Sequence, residues 1–168
     1  MRLLDIALAS FSPRVAPAPV LIVNGHPDPR PERFCAALAQ AYRDGIQASG
    51  GQADILTLGT LKDESVWADA ADRLRDGAEF AAVFPLWLDK PPPLLAGFIA
   101  EAAPQFCSDV IVTMAMPAFA HRARPARPDF FAIDKVQRAT FIGSVETISP
   151  AQRQNWLAKI ERLGRSHA

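Results

Sequence analysis

The sequence lacks an excess of charge of either sign and has few cysteines. Its 18 basic residues balance 18 acidic residues, so the formal net charge at pH 7 is zero. This balance gives no general electrostatic basis for binding nucleic acid or a membrane surface. The two cysteines, Cys35 and Cys107, lie far apart and match neither a metal-binding spacing nor a disulfide framework. We therefore predict a cytoplasmic protein without a metal site.

Long apolar runs and the serine motif of hydrolases are also missing. No apolar stretch reaches the length of a transmembrane helix, so we predict no membrane insertion. No serine stands in a Gly-x-Ser-x-Gly setting, which excludes that kind of nucleophile. The 168 residues suffice for one domain with a core, predicted at 19–168 after an N-terminal extension at 1–18. A signal peptide is the alternative for the extension, but Asp5 and Pro13 interrupt its apolar segment.

The chain is organised around residues 19–42, where an apolar run breaks and continues as a helical pattern. The run at 20–23 has no polar alternation, which is typical of a parallel strand buried on both faces. Gly25 permits a sharp exit, and three prolines delay the helix until about Glu32. The start of this helix faces the strand end. Its unpaired N–H groups favour a phosphate, with Arg33 expected in the first turn.

Strand-like and helical segments alternate along the rest of the chain. The pattern predicts strands at residues 53–58, 78–87, 109–114 and 138–145, and helices at 61–77, 94–103 and 150–163. This alternation predicts an α/β protein whose parallel sheet carries helices on both faces. Ligands of such sheets bind beyond the carboxyl ends of the strands, so the loops after strands one, three and four form the expected site.

Three segments in that order resemble a known family. They are Gly25-His26-Pro27 with Arg33-Phe34-Cys35, the run FPLWLDKPPPLLAGFI at 84–99, and the loop TMAMP at 113–117. Together with the ending IGSVETISPAQRQNWLAKIERLGR at 142–165, they resemble the flavodoxin-like NAD(P)H:quinone oxidoreductases, of the NAD(P)H dehydrogenase (quinone) and modulator of drug activity type. The resemblance covers residues 19–165. It implies a three-layer flavodoxin-like fold with a five-stranded sheet of order 2-1-3-4-5.

The resemblance also implies the chemistry and the site. Members bind FAD or FMN, take a hydride from NAD(P)H and reduce a quinone or a similar small acceptor by two electrons. The resemblance also implies a homodimer. The protein supplies a stacking platform, hydrogen bonds and water exclusion, and His121 is expected at the proton relay. The positions that match flavin contacts are His26, Arg33, Phe34, Cys35, Pro85, Leu86, Trp87, Leu88, Thr113, Met114 and Ala115.

Two alternatives stay open. Where the family usually has Ser and Asn in the first motif, this sequence has Arg33 and Cys35. Where the second motif usually has Gly-Gly, residues 89–90 are Asp and Lys. These departures favour a non-catalytic flavodoxin-like subunit, regulatory or dimerising, with an eroded cofactor site. Separately, His26-Pro27-Asp28 resembles the metal motif of zinc deacetylases, although Pro29 and Arg30 replace its second Asp and its Glu.

Overall fold

The computed structural model describes residues 18–88, 90–118 and 136–167. Within them, five strands form one sheet in the order β2-β1-β3-β4-β5, and every neighbouring pair is parallel. This confirms the predicted α/β class and strand order. The strands are β1 (Val20–Asn24), β2 (Ala53–Thr57), β3 (Phe80–Pro85), β4 (Cys107–Thr113) and β5 (Val136–Ile142).

Helices cover both faces of the sheet, which makes three layers. They are α1 (Phe34–Ala48), α2 (Glu64–Arg75), α3 (Pro93–Ala102) and α4 (Pro150–Arg165), with a short 3-10 helix at Leu58–Thr60. One apolar core joins the sheet to α1 and α4, and a second core joins the other face to α2 and α3. The central strands β1 and β3 are buried along their whole length because both of their faces are covered.

Two element boundaries differ from the sequence prediction in ways that shape the site. A turn in which Arg33 N donates to Arg30 O (3.1 Å) precedes α1, so the helix begins at Phe34 and Arg33 is its N-cap, not a first-turn residue. Strand β5 ends at Ile142 instead of 145, because Ser144 has a φ of 56° and its carbonyl accepts from Thr147 N at 2.9 Å. That turn leads directly to α4.

A buried polar cluster lies in the amino-terminal halves of β4 and β5. Asp109 in β4 is 1% exposed in its side chain and accepts from Arg138 Nε (2.9 Å), Arg138 Nη2 (2.7 Å) and the Tyr42 hydroxyl (2.5 Å). The Tyr42 hydroxyl also lies 2.9 Å from His167 Nδ1. These contacts connect α1, β4, β5 and the residues that follow α4.

Several predictions concern residues outside those that the structure describes. They include nearly all of the extension at 1–18, residue 89 of the second motif and the relay candidate His121. Within the described ranges, no helix has the length and apolar character needed to cross a membrane.

Candidate functional site

A cavity of about 610 Å³ opens at the carboxyl ends of β1, β3 and β4. Its wall is formed by the loop after β1, the start of α1, the loops after β3 and β4, and residues at the start of α4. The volume falls within the range of small-molecule and cofactor sites. The predicted flavin contacts that line it are His26, Arg33, Phe34, Cys35, Pro85, Leu86, Trp87, Thr113, Met114 and Ala115.

His26 is held by its own loop in one tautomer. Its backbone N–H donates to Asn24 Oδ1 (3.1 Å), and its ring Nδ1 accepts from the backbone N–H of Asp28 (3.0 Å). Desolvation, and then the nearby Arg33 cation, lower the pKa of His26 below its usual value. At neutral pH the ring is therefore uncharged, with its single proton on Nε2.

Asp28 ties together two arginines at the mouth of the cavity. Arg30 donates to the Asp28 carboxylate through Nε (3.0 Å to each oxygen) and Nη2 (2.6 Å), and Arg33 donates through Nε (2.6 Å). The hydrogen bonds from Arg30, and then those from Arg33, hold the pKa of Asp28 well below its usual range. Asp28 is therefore a permanent anion at this position.

The start of α1 faces the cavity without a side-chain cap. Its N-cap, Arg33, makes no capping hydrogen bond, and the first helical residues, Phe34 and Cys35, line the cavity wall. The free N–H groups of a first turn and the helix dipole both favour an anion there. Cys35 Sγ lies 3.4 Å from Thr113 Oγ1, and burial raises its pKa to about 11, so Cys35 is a thiol at neutral pH.

The loop after β3 supplies an aromatic wall. Leu86 N donates to Thr113 O (2.7 Å), which holds this loop against the end of β4. Trp87 and Lys90 exchange two backbone hydrogen bonds (3.0 and 2.9 Å) and close a tight turn. The Trp87 ring is half exposed, and its centroid lies 6.4 Å from that of His26 in an edge-on arrangement. A flat apolar ligand could stack on such an indole.

Leu88 is the described candidate that does not line the cavity. It lies in the turn between Trp87 and Lys90 with a φ of 48°, and it is 94% exposed. The left-handed backbone of the turn places this side chain in solvent, outside the cavity wall, and the flavin contact of Leu88 stays a prediction.

Arg153 is a cavity residue that the sequence prediction missed. It lies in the first turns of α4, and its guanidinium carbon is 4.4 Å from the centroid of the Phe34 ring. This cation–π contact holds the charge beside the start of α1. The capping box of Ser149 and Gln152 fixes the start of α4, and hence the position of Arg153. The clue that the sequence offered was a basic residue a few positions after the end of the last predicted strand.

Acidic residues offset the positive charge of the cavity wall. Asp28, Glu32 and Glu146 all line it, against the cations Arg33 and Arg153. The residues nevertheless match the parts of a flavin: an open helix start and Arg153 suit a phosphate, and Trp87 suits a flat ring. Among the described residues, no three metal-binding side chains cluster together, and the Asp28 carboxylate is taken by arginines.

Known structures share the fold at low sequence identity. Smu.1420 from Streptococcus mutans UA159 is 20% identical over 89% of this chain and 100% of its own, with a TM-score of 0.66. An NAD(P)H:quinone oxidoreductase from Methanothermobacter marburgensis is 14% identical over 89% and 96% of the two chains, with a TM-score of 0.68. An FMN-dependent NADH-azoreductase from Bacillus anthracis str. Ames Ancestor, in complex with FMN, is 11% identical over 89% and 98%, with a TM-score of 0.62.

By sequence, no protein-family model and no curated protein matches the chain. The likeness in structure extends along nearly nine-tenths of the chain. The chain therefore has the flavodoxin-like fold of NAD(P)H:quinone oxidoreductases and azoreductases.

Proposed function

We propose that this protein is a flavin-dependent NAD(P)H oxidoreductase that reduces a quinone or a similar flat electrophile. The observation that carries the proposal is the cavity at the carboxyl ends of β1, β3 and β4, with an uncapped helix start and a half-exposed indole on its wall. The activities of two structural neighbours, an NAD(P)H:quinone oxidoreductase and an FMN-dependent azoreductase, support it. FMN is the flavin that those neighbours favour, and FAD is the alternative.

The chain would hold the flavin at two places. The N–H groups at the start of α1 and the guanidinium of Arg153 would bind the phosphate. Pro85, Leu86 and Trp87 would border the ring system, with the Trp87 indole excluding water from one side. When bound, a flavin supplies two-electron hydride chemistry between NAD(P)H and an acceptor.

His26 would contribute a neutral hydrogen-bond donor. Because its Nδ1 accepts from the Asp28 backbone, the proton of the neutral ring is on Nε2. Its ring lies next to Trp87, so Nε2–H can donate a hydrogen bond to an oxygen of a ligand bound there. A neutral donor polarises a carbonyl without adding a charge that depends on pH near neutrality.

The proposal is tested by the visible absorption spectrum of the purified protein, before and after adding FMN and FAD in turn. We expect a flavin spectrum that bleaches with NADH or NADPH and returns when a quinone or an azo dye is added. The flavin retained through gel filtration identifies the cofactor. A protein that stays colourless and retains neither flavin would contradict the proposal.

One observation favours a second candidate, a non-catalytic flavodoxin-like subunit. The Asp28 carboxylate already pairs with Arg30 and Arg33 at the cavity mouth, and Glu32 and Glu146 add negative charge. A site with this charge could have lost its flavin while keeping the fold. The spectrum separates the candidates, because this subunit would remain colourless.

We also propose a homodimer, which the resemblance implies, and a cytoplasmic location, which the cysteine usage favours. Three exposed apolar side chains follow β3 within one short stretch, Trp87 (50%), Leu88 (94%) and Leu94 (37%), and a second subunit could cover them. Light scattering should give twice the chain mass. A Leu88→Asp variant should then shift toward the monomer, whereas wild-type protein that is already monomeric would contradict the dimer.

A further inference from the structure

The carboxylate of Asp28 pairs with the side chain of Arg33, the N-cap of α1, in the cavity proposed to bind an anion. It lines the cavity together with Arg33, Phe34 and Cys35, which form the start of α1. Both of its oxygens accept from Arg30, and Oδ2 also accepts from Arg33 Nε at 2.6 Å. Arg30 and Arg33 are therefore already paired within the chain.

The loop itself fixes this arrangement. The backbone N–H of Asp28 is bonded to His26 Nδ1 at 3.0 Å, and Arg30 N–H donates to Asp28 Oδ1 at 3.2 Å. Arg33 N–H donates to Arg30 O at 3.1 Å, which folds the loop back onto the start of α1. The carboxylate is thus positioned by backbone contacts and does not depend on a flexible side chain reaching across the cavity.

A phosphate that enters must compete with this internal anion. A phosphate monoester carries a charge of about −1.5 to −2 at neutral pH. It would approach Asp28 and Glu32 at close range, and it could use Arg33 only by sharing or displacing a carboxylate. A ligand without a terminal phosphate would not be repelled by these carboxylates and would not need to displace one from Arg33.

We infer that Asp28 is a specificity-determining residue, an internal anion that competes with phosphate for Arg33 and the start of α1. The inference rests on the proposed function for the identity of the ligand as a flavin. In the wild-type protein, Asp28 reduces the affinity that the phosphate of FMN adds beyond that of riboflavin. Neutralising Asp28 frees Arg33, and the site then discriminates more strongly in favour of FMN.

The first test uses inorganic phosphate as the probe, so that it does not depend on flavin binding. Phosphate is titrated calorimetrically into the wild-type protein, Asp28→Asn and Asp69→Asn. Asp69 is an exposed aspartate in α2, on the opposite face of the sheet, and so gives a matched change of charge. We expect Asp28→Asn to bind phosphate about tenfold more tightly than the other two proteins, as one freed charge-assisted contact predicts.

The second test titrates FMN and riboflavin into the same three proteins by flavin fluorescence quenching. We expect Asp28→Asn to raise the affinity for FMN about tenfold and to leave that for riboflavin within about twofold. Equal affinities of wild type and Asp28→Asn for phosphate, or parallel changes for the two flavins, would overturn the role of Asp28. Tighter phosphate binding by Asp28→Asn, with no flavin bound by any protein, would support Asp28 and overturn the flavin function.

Discussion

Arg153 is the residue through which α4 contributes positive charge to the cavity. Its guanidinium lies over the Phe34 ring, beside the uncapped start of α1. Arg153→Ala should weaken FMN binding about 10- to 100-fold, the usual effect of losing one charge-assisted hydrogen bond. Riboflavin, which has no phosphate, should lose much less. Fluorescence titration of both flavins measures the difference.

Arg162→Ala is the matched control for Arg153→Ala. It removes the same side chain from the same helix at an exposed position that does not line the cavity. This variant should bind both flavins as the wild type does. If Arg153→Ala weakened FMN and riboflavin equally, Arg153 would be shaping the cavity and not binding phosphate.

Cys35 illustrates how burial changes the chemistry of a single residue. Its side chain is 2% exposed, and burial raises its pKa to about 11. At pH 8 only about one thiol in a thousand is then the reactive thiolate. We expect no reaction of Cys35 with a thiol reagent in the folded protein at pH 8, and rapid reaction after denaturation. Rapid modification of folded protein, mapped to Cys35 by mass spectrometry, would contradict this environment.

At the scale of elements, α1 and α4 cross where two glycines face the opposite backbone. A Cβ built on Gly45 would lie 2.0 Å from Glu161 O, and one on Gly164 would lie 2.2 Å from Tyr42 O. Backbone atoms cannot move aside as a flexible side chain can. We therefore expect Gly45→Ala and Gly164→Ala each to lower the free energy of unfolding by about 1–3 kcal/mol, despite the better helix propensity of alanine.

Gly97→Ala in α3 is the control for that prediction. A Cβ at this position meets no atom within 4 Å, so only the propensity term remains. The free energy of unfolding of this variant should be about 0.5–1 kcal/mol higher than that of the wild type. Urea unfolding of the three variants measures the contrast, and similar changes at all three positions would show that the helix crossing is looser than described.

The elements themselves were largely predictable, and their ends were not. The apolar runs of β1 and β3 and the amphipathic pattern of α4 specify these elements locally, because burial on two faces or one dictates the residue pattern. The start of α1 at Phe34 depends on the turn between Arg30 and Arg33, and the end of β5 depends on the turn at Ser144. Such turns follow from contacts that periodicity does not record.

For the whole molecule, the buried cluster of Tyr42, Asp109, Arg138 and His167 links stability to pH. The Asp109 carboxylate, helped by Glu79, raises the pKa of His167 above about 6.5, against the effect of desolvation. A histidine whose pKa is raised on folding stabilises the protein fully at pH values below its pKa in the unfolded state. That stabilisation is lost as the pH rises through the folded value, so the free energy of unfolding should fall from about pH 6.5 upward.

Urea unfolding between about pH 6 and pH 8 at constant ionic strength, below the range in which the cysteines of the unfolded chain ionise, tests this dependence. His167→Asn should remove the decline on the alkaline side. His26→Asn is the control, since desolvation lowers the pKa of His26 and its linkage acts below about pH 6.5 instead. An alkaline decline that persists unchanged in His167→Asn would mean that another group causes it.

The sequence by itself determined the class of fold, the strand order through the family resemblance, and most of the cavity wall. These follow from local patterns, since buried parallel strands need apolar runs and their carboxyl ends share one edge. Only the tertiary structure decided the charge of the site. Arg153 enters from α4, and Asp28 pairs with Arg33 across a folded loop. Electrostatic interactions depend on distances in space, and spacing along the chain does not encode them.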